Sequence, residues 1–264
     1  MLKLYLLFYF NARDTNLYTF IDLHCHTLFG VDDGAENFEM TKKMLNIAYN
    51  DGIKTICLTP HFKIYRYESD DEIKQHNNRV IENFELVNKY AKEAWPDMRL
   101  LLGSEIMYHN DICDSLLSGH CRFINQSSYL LIEFRPNTSK FDIQNAISKL
   151  TRRGYRPVIA HIERYSAFAS DFAFLVEMKN AGAMLQVNSS SILKFKIGKT
   201  ARLIKKALKL GLIDVISTDA HDNKYVTPSM SMAHKKIEKK FGEIYAKKLF
   251  HDNALSIINN DYIS

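Results

Sequence analysis

Four glycines punctuate this chain in the same way. Gly52 precedes Ile53-Lys54-Thr55-Ile56-Cys57-Leu58, Gly154 precedes the run ending Pro157-Val158-Ile159-Ala160, Gly182 precedes Ala183-Met184-Leu185-Gln186-Val187, and Gly211 precedes Leu212-Ile213-Asp214-Val215-Ile216. Each ends a polar stretch of helical period and opens a short apolar run, where a residue without a Cβ takes the left-handed cap that stops a helix before a strand. The recurring unit is βα alternation. Strands are predicted over 20–23, 53–58, 100–102, 129–134, 158–160, 184–187 and 213–217, with helices over 36–50, 70–94, 141–152, 172–180, 200–210, 230–241 and 243–259. No linker, internal repeat or low-complexity tract divides the chain, so one domain is expected over residues 20–264, behind an extension of residues 1–19. Repeated βα order within 264 residues suits a (β/α) barrel or an open doubly wound sheet. No Gly-rich phosphate loop succeeds the first strand, which weighs against a nucleotide-binding open sheet.

The residues that can carry chemistry cluster at the ends of the predicted strands. His24 and His26 come directly after the first, with Asp33 in the loop beyond; His61 comes after the second and Glu105 after the third; Glu133 ends the fourth, His161 comes after the fifth, and Asp219 and His221 after the seventh. In a parallel barrel the C-terminal ends of all strands open on one face, so these nine groups would converge. His24-Cys25-His26 and Asp219-Ala220-His221 share the i, i+2 spacing that places two ligands on one side of a strand and the middle residue on the other. Five histidines and four carboxylates suit Zn, Mn, Fe or Mg and argue against iron–sulfur or a structural thiolate zinc site. Nine ligands exceed the needs of one ion, and two or three divalent ions fit better. Three such ions against four carboxylates leave a net charge of about +2, suited to a phosphate ester and a metal-bound hydroxide that attacks it.

Composition narrows the alternatives. With 46% hydrophobic and 25% charged residues the chain is an ordinary globular protein, and its net charge of +5 falls short of a dedicated nucleic-acid binder. Cys25, Cys57, Cys113 and Cys121 form no C-x-x-C pair and read as reduced thiols of the cytoplasm. A cysteine-dependent phosphatase would need Arg six residues after its thiolate, where Val31, Lys63, Gly119 and Ser127 stand instead. The apolar Met1–Phe10 segment is too short to span a membrane and is expected to pack as an extra strand or flap. The stripe Lys199, Arg202, Lys205, Lys206 and Lys209 reads as a solvated helix face, and His76, His109, His120, His234 and His251 as core-edge or solvated side chains. Asn188 and Ser189, ending the sixth strand, are candidates for holding a site water or forming a loop.

Seven motifs in order resemble the polymerase and histidinol phosphatase (PHP) family: 20–26 (FIDLHCH), 31–34 (VDDG), 59–61 (TPH), 103–106 (GSEI), 131–134 (LIEF), 160–165 (AHIERY) and 217–221 (STDAH). Within it, Asp-Asp-Gly and Ala-His-Ile-Glu-Arg-Tyr are most similar to the bacterial metal-dependent tyrosine-protein phosphatases of capsule and exopolysaccharide clusters. The resemblance implies an α/β fold, a distorted seven-stranded (β/α) TIM-like barrel with a trinuclear metal site at the C-terminal face of the strands. It implies His24, His26, Asp33, His61, Glu105, Glu133, His161, Asp219 and His221 as ligands, Mn foremost among the ions, and His161, Asp219 and Arg164 as catalytic residues, Arg164 binding phosphate. It also implies a cytoplasmic enzyme acting on a phosphotyrosine protein, a polysaccharide co-polymerase tyrosine kinase, without nucleic acid or membrane insertion. The family's usual Arg after the final D-x-H is absent: Lys224 stands there, and Lys63 or Arg66 offers a substitute. Competing readings are a histidinol-phosphate or other small phosphomonoester phosphatase, an amidohydrolase-type barrel, and a non-catalytic metal-binding PHP module.

Overall fold

The computed structural model describes residues 18–194 and 197–263. The expected N-terminal strand or flap over residues 1–17 lies outside them. All four punctuating glycines adopt φ between 67° and 97°, and an apolar strand begins within one to four residues of each. The strands are β1 (Phe20–Cys25), β2 (Ile53–Leu58), β3 (His61–Phe62), β4 (Arg99–Leu102), β5 (Glu105–Met107), β6 (Tyr129–Glu133), β7 (Arg156–Ile159), β8 (Met184–Asn188) and β9 (Val215–Ser217). The helices are α1 (Phe38–Asn50), α2 (Asp70–Ala94), α3 (Ile112–Leu117), α4 (Lys140–Thr151), α5 (Ser166–Ser170), α6 (Phe172–Asn180), α7 (Ser189–Lys194), α8 (Lys199–Lys209), α9 (Ser231–Phe241), α10 (Glu243–Lys247) and α11 (Asn253–Ile258).

Every strand pairing is parallel, in the orders β1-β2-β4 and β3-β5-β6-β7-β8-β9. The predicted strands 53–58 and 100–102 are thus each followed, after a break at Thr59-Pro60 and at Gly103-Ser104, by a short continuation that the sequence pattern does not predict. Proline has no N–H for a ladder, and at Gly103 a Cβ would meet Cys57 Sγ at 3.1 Å. The continuations β3 and β5 begin at His61 and Glu105, so each break delivers a candidate ligand to the next ladder. A parallel bridge between Cys25 and Ala220 joins the two ends of the curled sheet, reinforced by His26 N–H to Ala220 O (2.9 Å) and Asp219 N–H to His24 O (2.8 Å).

Side chains alternate across this sheet. Leu131, Val158, Ala160 and Val215 face a small inner cluster, closed by Ala254, Ile257 and Ile258 of α11, while Leu130, Ile132, Ile159 and Ile216 pack in the larger outer layer. Burying each such aliphatic side chain contributes roughly 1.5–3 kcal/mol. The outer layer is covered by capped helices. Asn37 accepts the Met40 N–H and starts α1 at residue 38 rather than 36; Ser69 caps α2, whose first turn carries Asp70, Asp71 and Glu72 against the helix dipole. The single helix expected over 243–259 is interrupted by a π-helical turn, Lys248–Asp252. That wider turn lets Phe250 pack against Phe20 (ring centroids 5.9 Å) while Ala254 and Ile257 plug the inner cluster.

Candidate metal centre

The site begins with a bulge in β1. Ile21 and Leu23 belong to the inner cluster, so strict alternation would turn His24 and His26 outward. Instead Asp22 pairs with Ile56 and Cys25 with Leu58, three residues against two, and the extra residue re-aims both imidazoles inward. Cys25 then falls on the helix side, packed in the outer layer with its Sγ 2.7 Å from Thr27 Oγ1. Burial pushes its thiol up to about 12, which removes it as a nucleophile. Beneath the histidines, buried Asp22 accepts the Thr218 N–H (3.0 Å) and His24 N–H (3.3 Å), tying β1 to the turn that carries Asp219. Burial lifts the Asp22 carboxyl to about 6 despite these bonds.

Eight of the nine predicted ligands fall into three overlapping groups: His24, His26, Glu105 and Asp219; His61, Glu105 and Glu133; and His26, Asp33, His61 and His221. Glu105 Oε2 is the hub, 3.2 Å from His24 Nε2, 3.2 Å from His26 Nε2 and 2.9 Å from His61 Nδ1. Asp219 Oδ1 lies 3.2 Å from His24 Nε2 and 3.4 Å from His26 Nε2, and Glu133 Oε1 lies 3.1 Å from His61 Nδ1. Asp33 Oδ1 stands 3.3 Å from His61 Nε2 and 3.9 Å from His221 Nε2 on the more open side. His161 stands outside the three groups, its Nε2 2.7 Å from Glu105 Oε1.

The donor chemistry of these atoms suits cations. Buried His61 Nδ1, Glu105 Oε2, Glu133 Oε1 and Asp219 Oδ1 have no hydrogen-bond partner, and His24 Nε2 and His26 Nε2 face each other at 3.1 Å. Leaving buried polar atoms unpaired costs about 1–3 kcal/mol each. Burial alone would raise the Glu105 and Asp219 carboxyls, but surrounding histidines, His24 foremost, hold both well below the usual carboxylate range. Both are therefore ionised and available as ligands. The set is oxygen and nitrogen only, the donor chemistry of Mn, Fe, Zn or Mg.

The outer ring nitrogens are oriented by residues outside the predicted ligand set. Asp32 Oδ2 is 2.7 Å from His26 Nδ1 and accepts the His61 N–H at 3.1 Å, Gln186 Oε1 is 3.3 Å from His24 Nδ1, and the Tyr165 hydroxyl is 3.2 Å from His161 Nδ1. Burial opposes ionisation of Asp32, but His26 wins and holds it at about 2. In the Asp-Asp-Gly turn, then, Asp32 orients, Asp33 faces the mouth, and a Cβ at Gly34 would lie 2.0 Å from His26 O. The signals for these orienting residues were present: Asp32 adjoins Asp33, and Gln186 is a polar side chain amid the apolar residues of β8. Asn188 contacts Asp219 Oδ2 at 2.8 Å and Ser189 Oγ bonds Ser229 O at 2.8 Å, so neither is a simple loop former.

The predicted phosphate contacts separate. Arg164, on the turn after His161, is half exposed and its Nη2 bonds Asp219 Oδ2. Lys63 is 11% exposed with Nζ 3.7 Å from Glu133 Oε1, at the edge of the cluster. Arg66 is exposed on the Ile64–Arg66 turn, and Lys224 lines a separate hollow with Asn37, Glu39, Met40 and Lys43.

Comparison with known proteins agrees with this geometry. The family model for capsular polysaccharide synthesis, CpsB/CapC, matches residues 20–259. The chain is 35% identical to the tyrosine-protein phosphatase CpsB of Streptococcus pneumoniae, over 92% of this chain and all of that one. It is 29% identical to the tyrosine-protein phosphatase YwqE of Bacillus subtilis, over 92% of this chain and 93% of that one. A chain from the crystal structures of YwqE and CpsB, described as unique metal-dependent tyrosine phosphatases, superposes with a TM-score of 0.82 at 27% identity, covering 92% of this chain and 96% of that chain. With its motifs, its curled parallel sheet and its full-length relatives in accord, this chain belongs to the CpsB/CapC family of capsular polysaccharide synthesis.

Proposed function

We propose that this chain is a metal-dependent protein-tyrosine phosphatase, with residues 20–264 as one catalytic unit. The observation that carries the reading is the convergence of four partnerless buried ligand atoms, His61 Nδ1, Glu105 Oε2, Glu133 Oε1 and Asp219 Oδ1, in a chain with full-length tyrosine-phosphatase relatives. His24, His26, Asp33, His61, Glu105, Glu133, His161, Asp219 and His221 would hold two or three divalent ions, manganese first. When bound, such ions polarise a phosphate ester and lower the pKa of a bound water toward about 7.

The chain's own residues supply the rest. Arg164 reaches the cluster from a half-exposed position, and its planar fork suits two equatorial phosphoryl oxygens, whose charge grows in the transition state. Lys63 adds a second cation at the Glu133 edge. The phenolate leaving group, with a conjugate acid near pKa ~10, departs without a dedicated strong acid. The substrate we assign is a phosphotyrosine protein, a tyrosine kinase of polysaccharide assembly, met in the cytoplasm. Among the described residues no helix is long and apolar enough to cross a membrane.

Metal analysis of the purified chain, alongside hydrolysis of a phosphotyrosine peptide and of histidinol phosphate with and without manganese and chelator, tests this. Chelator-sensitive peptide hydrolysis with two or three ions per chain is expected. Preferential cleavage of histidinol phosphate would replace the substrate, and bound metal with neither ester cleaved would overturn the phosphatase reading. Arg164→Ala should mainly raise KM for the peptide if the guanidinium binds the ground-state phosphate, and mainly lower kcat if it meets only the transition state.

A further inference from the structure

β8 supplies none of the nine predicted ligands, yet its two inward polar residues, Gln186 and Asn188, are buried against them. Their amide orientations are dictated from both ends. The His161 backbone N–H lies 2.6 Å from Gln186 Oε1 and can only donate, so oxygen must face it. Gln186 Nε2 then donates to Asn188 Oδ1 (2.8 Å), and Asn188 Nδ2 donates to the acceptor-only carboxylate of Asp219 at Oδ2 (2.8 Å). The Asn188 N–H in turn donates to buried Glu163 Oε1 at 3.0 Å.

This direction of donation fixes the tautomer of His24. The same Gln186 oxygen is 3.3 Å from His24 Nδ1, and as an acceptor it keeps the ring proton there. The Nε2 lone pair is left facing Glu105 Oε2 and Asp219 Oδ1, each 3.2 Å away. His161 and Asp219 both sit at positive φ, 33° and 52°, a conformation that residues with side chains hold only under restraint. One chain of neutral amides thus restrains both left-handed turns and links the ends of β1, β7 and β9.

We infer that Gln186, relayed through Asn188, is a positioning residue that presents His24 Nε2 and the Asp219 carboxylate to a divalent cation. The inference rests on the metal reading above. Its test is titration of chelator-stripped protein with Mn(II), following free Mn(II) by electron paramagnetic resonance, which reads binding without turnover. Gln186→Met keeps the side-chain length and removes the hydrogen bonds, and its dissociation constant should rise roughly ten- to a hundredfold. Gln186→Glu keeps the acceptor for His161 and His24 but removes the donor to Asn188, and should recover only the part of that affinity carried by His24. If Gln186→Met fails to fold, Asn188→Ser, which removes the donor to Asp219 and leaves Gln186 in place, carries the same expectation. Unchanged Mn(II) affinity with only a lowered unfolding temperature of the stripped protein overturns the inference and leaves the metal centre standing, as does a Glu variant no better than the Met variant. A parent chain that binds no Mn(II) overturns both.

Discussion

Asp214 and Asp219 flank β9 at its two ends, and both are buried, but the protein treats them differently. Asp214 is satisfied within the chain: Lys179 Nζ bonds Oδ1, and the Leu185 N–H donates to Oδ2 at 2.7 Å. Burial still raises its carboxyl above the ordinary 3.8. Asp219 has Oδ2 bonded by Arg164 and Asn188 while Oδ1 faces the ring nitrogens of His24, His26 and His221 and has no hydrogen-bond donor. A structural carboxylate brings its own counter-ion and donors. One poised for a ligand keeps an atom in reserve, at a cost in stability that bound ions would offset.

Removing Asp219 should therefore hurt function and spare the fold, while unpairing Asp214 should do the reverse. Asp219→Ala, and likewise His161→Ala, is expected to lower kcat by roughly a thousandfold or more, since ions stabilise transition-state charge by several kcal/mol. Melting curves of the chelator-stripped variants should match or exceed the stripped parent; a cooperative loss of fold would break the comparison. Chelation of the parent itself should lower its unfolding temperature by roughly 5–10 °C, the effect of losing ligands present at about 100 times Kd.

At the other end of β9, Lys179→Ala removes the partner of Asp214 Oδ1, leaving the Leu185 N–H on Oδ2 and the charge of Lys248 nearby, and should cost roughly 2–3 kcal/mol by denaturant unfolding, less than a fully buried pair because Lys179 is partly exposed. Its kcat at a temperature where the variant is folded should equal the parent's. The sign with pH comes from the raised carboxyl: the folded state holds the Asp214 proton more tightly than the unfolded chain does. The stability this contributes is present below 3.8 and lost as pH climbs through the raised folded value. Asp214→Asn should flatten that decline, and an unchanged pH profile would show that Asp214 does not govern it.

The smallest effect is expected at Cys25, which lies between two predicted ligands in sequence and behind them in space. Cys25→Ser should keep its metal content and activity and lose about 1 kcal/mol in an apolar setting. Lost turnover with metal retained would count against hydrolysis without a covalent thiol intermediate.

Much of the site was legible because strand-end spacing is local. His24-x-His26 and Asp219-x-His221 announce one face, and the apolar runs place His61, Glu105, Glu133 and His161 where parallel strands end. Local spacing says nothing about which partner lies across the barrel. Asp32, Gln186 and Tyr165 matter because of contacts between residues 4 to 162 positions apart, and Asn188, flagged only for a site water or a loop, turns out to donate to Asp219. The C-terminal helix departs from the expected single run for a related reason: its helical period is real, but packing Phe250 and Ile257 on two different surfaces goes with the π turn between them.

By itself, then, the sequence determined the βα order, the inward alternation of apolar residues and the types of ligand the barrel mouth carries, since these stem from short-range periodicity and from glycine caps. Tertiary structure decided the β1 bulge that turns His24 and His26 inward, the broken strands that start at His61 and Glu105, and the amide chain of β8 that orients His24 and Asp219. Each of these depends on where a neighbouring strand's backbone donors and acceptors lie, and that is settled only when the sheet closes at Cys25 and Ala220.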